Sequence, residues 1–189
     1  MNTGRIEVIC GSDGSGKTAM AFGKALYALS QQKQVIVIQF LKGCGKRQDS
    51  PDIFKRLEPE LKVFRFEKSD HYYESLTPDE KKEECYNIKN GLNYARKVLT
   101  TGECDLLILD DLGTEFPSAY VNAALYNIIN SRMLAERPTI ISTNLTLKEL
   151  ESRYSERFAS RIAGYYGKLE FLGNDVRVQK RLQKSRKHP

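Results

Sequence analysis

Eight residues near the start of the chain, Gly11-Ser12-Asp13-Gly14-Ser15-Gly16-Lys17-Thr18, spell G-x-x-x-x-G-K-[ST]. This pattern constrains the fold more than any other feature, because such a loop works only between a strand and a helix. Arg5-Ile6-Glu7-Val8-Ile9-Cys10 reads as the strand, and Thr18 to Ser30 as the helix. The glycines let backbone N–H groups curl around phosphates, Lys17 reaches the β- and γ-phosphates, and Thr18 offers a hydroxyl to Mg²⁺. The helix adds the positive end of its dipole to the same place. All eight residues, Gly11, Ser12, Asp13, Gly14, Ser15, Gly16, Lys17 and Thr18, are therefore expected to bind a nucleoside triphosphate.

At 189 residues the chain has the size of one α/β domain. Strand and helix patterns alternate along it, which predicts a three-layer α/β/α phosphate-loop (P-loop) NTPase with a mainly parallel sheet of about six strands. Gln34 to Phe40 is a near-continuous apolar run, as for a strand buried on both faces. A polar, glycine- and lysine-containing loop follows at 42–50. Leu61 to Phe66 alternates at period two and reads as a half-exposed edge strand. Thr77-Pro78-Asp79-Glu80 opens a helix with a capping box, and Ile88, Leu92, Ala95 and Leu99 form its apolar face. A strand at 106–109 runs into Asp110-Asp111. A helix from about Ser118 to Ala135 turns Val121, Leu125, Ile128 and Ile129 inward. A strand at 139–144, a second capping box from Thr146 to Glu149, and a last strand at 169–172 complete the pattern. The expected order across the sheet is 61–66, 34–40, 106–110, 139–143, 5–10, 169–172.

In open parallel sheets ligands sit at the carboxyl ends of strands, which brings Asp110 and Asp111 towards the loop. Asp110 is assigned to Mg²⁺, and Asp111 to orienting or polarising an attacking water. Asn144 ends the next strand; its side chain either faces the γ-phosphate or caps the turn before Thr146. Arg153, Arg157 and Arg161 recur every four residues, so one helix through them would carry three guanidiniums along a stripe. On spacing alone that stripe reads as a solvated face balanced by Glu149, Glu151 and Glu156.

Charge is informative by position. The last thirteen residues carry six basic side chains and no acid, while residues 1–176 hold 24 basic and 24 acidic groups. Any attraction to nucleic acid is thus confined to the tail, 177–189, which otherwise reads as a solvated terminus. The four cysteines lie far apart without a C-x-x-C pair, so free thiols in a reducing cytoplasm are expected rather than a zinc site. Cys10, beside the loop, reads as buried packing. No apolar run approaches a membrane span, and the N-terminus lacks the pattern of a secretory leader.

Residues 1 to about 110 resemble the bacterial corrinoid adenosyltransferases, which act on cob(I)yrinic acid a,c-diamide. The resemblance is carried by Gly4 to Cys10 leading into the loop, Val37-Ile38-Gln39-Phe40-Leu41-Lys42-Gly43, Leu57 to Phe66, and Val98 to Asp105. Residues 105–181 resemble the ATPase domain of DnaC/DnaI-type helicase loaders, through Leu106 to Glu115, Thr139 to Leu145, Tyr154 to Arg161 and Gly173 to Arg177. The pair implies a chimera of two P-loop families, engineered or natural, joined near 105–113 within one nucleotide-binding domain, 1–176.

The loader resemblance implies that Asn144 senses the γ-phosphate and that Arg161, with Arg157 second, serves a neighbouring subunit's nucleotide. It also implies that Arg177 contacts the chain's own nucleotide. The chain departs from both patterns. It shows no helicase-docking region ahead of the loop and no second half to enclose a corrin, and its loop has the length of ordinary ATPase loops. The expectation is an Mg-ATP-binding protein with at most slow hydrolysis, carried by Lys17, Asp111, Asn144 and Arg161. The alternatives are adenosyl transfer from ATP to cob(I)alamin and a loader-like module acting on DNA or a helicase.

Overall fold

Period-two alternation sorts the strand residues of this chain between two cores. The computed structural model describes residues 6–12, 14–40, 54–66, 69, 75–102, 104–115, 118–164 and 166–171, with side chains through 162. Arg5, Asp13, the loop at 42–50, Leu172, Arg177 and the tail lie outside the described residues. In chain order the elements are β1 (Ile6–Gly11), α1 (Lys17–Leu29), β2 (Val35–Gln39), β3 (Leu61–Arg65), α2 (Pro78–Thr100) and β4 (Leu106–Leu112). They continue as α3 (Ala119–Leu134), β5 (Thr139–Thr143), α4 (Leu147–Arg153), α5 (Glu156–Gly164) and β6 (Tyr166–Phe171). The strands form one six-stranded sheet in the order β3-β2-β4-β5-β1-β6, and every pairing is parallel. This is the P-loop α/β/α architecture and the strand order that the sequence predicts.

On one face Ile36, Ile38, Leu107, Leu109, Val8 and Ile141 pack under α2 and α3, through Ile88, Leu92, Ala95, Val121, Leu125 and Ile128. On the other, Val35, Val37, Leu106, Ile108, Ile9 and Ile140 meet α1 through Ala21, Ala25 and Ala28. The small residues of α1 let its axis lie close to the sheet, which fixes where the loop feeding it must be. The capping boxes form as expected, with Glu80 N donating to Thr77 Oγ1 and Glu149 N to Thr146 Oγ1. The returning bond from Thr146 N holds the Glu149 carboxyl below the usual carboxylate range. Ser118 Oγ caps α3 by accepting from Val121 N at 3.1 Å.

The last strand is longer and earlier than its apolar pattern alone indicates. Pairing pulls it into register with all six residues of β1, from Ile6 against Tyr166 to Gly11 against Phe171. At the opposite edge, α2 crosses β3 where Gly91 meets Phe66. A Cβ on Gly91 would lie 2.0 Å from Phe66 Cδ1. Gly91→Ala is therefore expected to destabilise by about 1–3 kcal/mol, the ring's displacement outweighing the roughly 1 kcal/mol gained in helix propensity. Urea unfolding of the variant measures the net effect.

Candidate nucleotide site

The loop between β1 and α1 takes its shape from glycines that carry positive φ, Gly14 at 72° and Gly16 at 97°. At Gly16 an added Cβ would meet nothing within 4 Å, so backbone conformation rather than space demands glycine there. Lys17 is only 5% exposed, and its Nζ donates to Gly11 O and Ser12 O at 2.8 Å each. The ammonium thus folds back over the loop's own carbonyls. Ser15 Oγ is buried without a hydrogen-bond partner among the described residues. The first turn of α1 holds no acid, and its N-cap residue supplies no side-chain bond. A helix start with no side-chain cap from its N-cap residue, a hydroxyl without a partner among the described residues and a buried ammonium, all within Ser15 to Thr18, fit a polyphosphate. Thr18, half-buried in that first turn, fits the metal role predicted for it.

Asp110 stands at the end of β4, with no solvent exposure. Ser142 Oγ donates to its Oδ1, and Gln39 Nε2 donates to its Oδ2 at 2.8 Å. Beyond Leu109 the β4–β5 register slips at a bulge, and Asp111 adopts φ 58°. Its backbone N–H donates to the same Ser142 Oγ at 3.0 Å, while its carbonyl accepts from Thr114 Oγ1 at 2.7 Å. Asp tolerates this left-handed conformation better than most residues. The bulge therefore separates the two acids: Asp110 is fixed inside the sheet and Asp111 is half-buried at its rim.

Asn144 is exposed and follows directly on Thr143, which pairs with Cys10. One residue beyond that pair, β1 enters the phosphate loop, so Asn144 and Gly11 leave neighbouring strands together. The structure thus brings Gly11, Ser12, the segment Gly14 to Thr18, Asp110, Asp111 and Asn144 to the carboxyl ends of adjacent strands.

The three arginines are different. A single helix carrying Arg153, Arg157 and Arg161 does not form, because the chain breaks at Tyr154-Ser155. Tyr154 N closes α4 on Leu150 O, and Ser155 Oγ accepts from Phe158 N at 3.2 Å, so Ser155 caps a new helix instead of continuing the old one. Arg153 turns inward, its Nε 3.3 Å from Glu115 Oε1. Arg157 is exposed, and Arg161 lies over the Tyr126 ring at 5.8 Å.

Several residues that organise this end of the sheet were missing from the sequence reading. Gln39 and Ser142 are buried, and Arg65 reaches Gln39 Oε1 at 2.8 Å. The signal for Gln39 was available, since it ends a strand whose other four residues are aliphatic; Ser142 lies between Ile141 and Thr143 and stands out less. Glu115, 1% exposed, gathers Gly113 N at 2.7 Å, the Tyr154 hydroxyl and Arg153. Burial, followed by the Glu115 charge, pushes the Tyr154 phenol far above its ordinary value of 10.0. The sign follows from linkage. Above about pH 10 the unfolded chain releases this proton and the folded chain keeps it, so stability falls as pH rises, by up to about 1.4 kcal/mol per pH unit. Tyr154→Phe should flatten that alkaline decline in urea midpoints measured from roughly pH 9 to 11.

Compared with known proteins, residues 2–144 match the family model described as ATP:corrinoid adenosyltransferase BtuR/CobO/CobP. The chain belongs to this adenosyltransferase family. Its curated relatives include the corrinoid adenosyltransferases of Escherichia coli strain K12 and of Escherichia coli O6:H1 strain CFT073. Each is 27% identical over 141 residues, 73% of this chain and 66% of the relative. The family member described here thus spans just under two thirds of the length of those relatives.

The structural neighbours differ in kind. One, a DNA replication initiation factor, aligns with TM-score 0.51 and 21% identity over 98% of this chain and 46% of its own. AMPPCP-bound DnaA from Aquifex aeolicus aligns with TM-score 0.51 and 20% identity over 97% of this chain and 46% of its own. Domain III of Thermotoga maritima DnaA gives TM-score 0.51 and 20% identity over 87% and 54%. These likenesses describe the fold. Sequence kinship with adenosyltransferases and a fold shared with replication initiation proteins coexist in one chain. The family match runs past 105–113 and takes in β4, α3 and β5. Among the described residues no helix is long and apolar enough to cross a membrane.

Proposed function

We propose that this family member binds Mg-ATP, with the triphosphate in the loop from Gly11 to Thr18 and the metal at Thr18 and Asp110. The observation that carries the reading is the self-occupied loop: Lys17 Nζ on two loop carbonyls, beside a Ser15 Oγ without a partner among the described residues and an α1 start whose N-cap residue gives no side-chain cap. A triphosphate supplies stronger acceptors for all three. Magnesium, when bound, would neutralise phosphate charge. In this reading the chain's own groups orient the nucleotide: Lys17 holds the outer phosphates, and Ser15 and the α1 backbone N–H groups surround them. Hydrolysis is slow at most. Asp111 and Asn144 stand where a water would be ordered, but Asp111 is tied through its backbone to a bulge. The transition-state arginine, Arg161 or Arg157, would have to come from a second copy of the chain.

A second reading is favoured by the family match: transfer of adenosyl from ATP to a reduced corrinoid. There a cobalt(I) nucleophile forms a bond to the ribose 5′ carbon as the carbon–oxygen bond breaks, and the triphosphate leaves intact with the electron pair. The same grip on the triphosphate serves this chemistry by stabilising the leaving group, and no attacking water is required. Contact of Arg177 with the chain's own nucleotide, loader-like action on DNA or a helicase, the junction at 105–113 and a chimeric origin rest on the sequence resemblance, and any attraction of the tail to nucleic acid rests on its charge. The free thiols of Cys85 and Cys104 accord with a reducing, cytoplasmic setting.

One experiment separates the readings. ATP and Mg²⁺ are incubated with the protein, with and without cob(I)alamin, and the released anion is identified. Slow orthophosphate release in both arms supports hydrolysis. Inorganic triphosphate together with a new cobalt–carbon absorbance supports transfer. Absence of nucleotide binding by calorimetry overturns both.

A further inference from the structure

Polar side chains at the carboxyl ends of four neighbouring strands join in a single hydrogen-bonded line across the sheet. It runs from Arg65 on β3 through Gln39 on β2 and Asp110 on β4 to Ser142 on β5. Gln39 is the informative member. It is 2% exposed at the end of a strand whose other four residues are aliphatic. Burying a primary amide costs stability unless its donors and acceptor are met. Both ends of this one are met: Oε1 accepts from Arg65 Nε, and Nε2 donates to Asp110 Oδ2, each at 2.8 Å. Its orientation is dictated by charge, since flipping it would set carbonyl against carboxylate and amide N–H against guanidinium.

We infer that Gln39 is a positioning residue for the magnesium-binding carboxylate, with Ser142 as its counterpart on the other oxygen. The inference rests on the Mg-ATP reading above and adds the groups that orient Asp110 within it. A carboxylate has about four acceptor positions. Gln39 and Ser142 use one on each oxygen of Asp110, which fixes the plane of the group and leaves the remaining lone pairs for the metal's hydration shell. Ser142 also receives the Asp111 N–H, so the same hydroxyl sets the start of the bulge. Arg65 locks the amide from the exposed edge of the sheet. Two strands that contribute nothing to the phosphate loop thereby determine how its acidic partner is presented.

The test is magnesium linkage, which a merely structural amide would not move. ATP binding is measured by calorimetry across a magnesium chloride titration and again in EDTA, for the wild type, Gln39→Met, Ser142→Ala and Arg65→Met. Gln39→Met is expected to raise the magnesium concentration for half-maximal ATP binding by about tenfold, as for other groups that orient metal ligands. Affinity in EDTA should stay within about twofold, because the amide touches the carboxylate and not the nucleotide. Ser142→Ala should shift in the same direction, and Arg65→Met more weakly. An unchanged magnesium midpoint in Gln39→Met, or an equal loss with and without the metal, overturns the inference. Should Gln39→Met fail to fold, Arg65→Met decides: Arg65 is exposed at the sheet edge and leaves both cores intact, and a wild-type midpoint there overturns the inference. If wild-type binding is itself indifferent to magnesium, the assignment of Asp110 fails, and the inference with it.

Discussion

Replacing Glu115 with alanine is expected to lower the free energy of unfolding by about 3–5 kcal/mol, the usual consequence of removing one partner from a buried pair. Three donors converge on this carboxylate: Gly113 N, the Tyr154 hydroxyl and Arg153 Nε. Arg153 Nη2 also donates to the Glu115 carbonyl, so the arginine is held by backbone and side chain together. The Arg153 side chain is a quarter exposed and can be rehydrated, which places the loss towards the lower end of that range. Tyr154 is buried and stacked on Phe158, with no such escape. Glu115→Gln preserves shape and can keep its one carbonyl oxygen on the Tyr154 hydroxyl and Arg153 Nε, so its cost should fall to about 1–2 kcal/mol. Urea unfolding of both variants tests this ranking; equal costs would show that packing, not charge, is what Glu115 provides.

Lys17→Ala should weaken ATP binding by about 10- to 100-fold, as expected when a charged hydrogen bond worth roughly 1.5–3 kcal/mol is lost. The fold should survive, because Lys17 Nζ meets the carbonyls of Gly11 and Ser12 within its own loop and the residue belongs to neither core. Circular dichroism then serves as the control and calorimetry as the measurement. Lys17→Arg is predicted to recover little, since a planar guanidinium cannot occupy the pocket that a compact ammonium fills against two carbonyls. Unaltered affinity in Lys17→Ala would remove the loop from the nucleotide site.

Local chemistry made most of the architecture legible in the sequence. Glycine spacing identified the loop, and capping residues marked the starts of α2 and α4. Apolar runs gave strands buried on both faces, and their alternation with helices gave the parallel order. What escaped depended on register. Gln39, Asp110 and Ser142 are dozens of residues apart, and only the lateral pairing of β2, β4 and β5 sets them side by side. The break between α4 and α5 escaped for another reason. Four-residue spacing of arginines is compatible with one helix, and a single serine hydroxyl that competes for backbone N–H groups is enough to end it. Glu115 looked like part of a loop; the Arg153 and Tyr154 that bury it arrive from 38 and 39 residues away.

The order of the sheet also carries a message about assembly. β1 is synthesised before the other strands of the sheet, yet its neighbours, β5 and β6, are the last two strands to follow it. Contacts so distant in sequence close late and slowly. The nucleotide cradle is thus synthesised well ahead of the strands that lock it in place, and a nascent chain halted before residue 139 would display it on an unpaired strand.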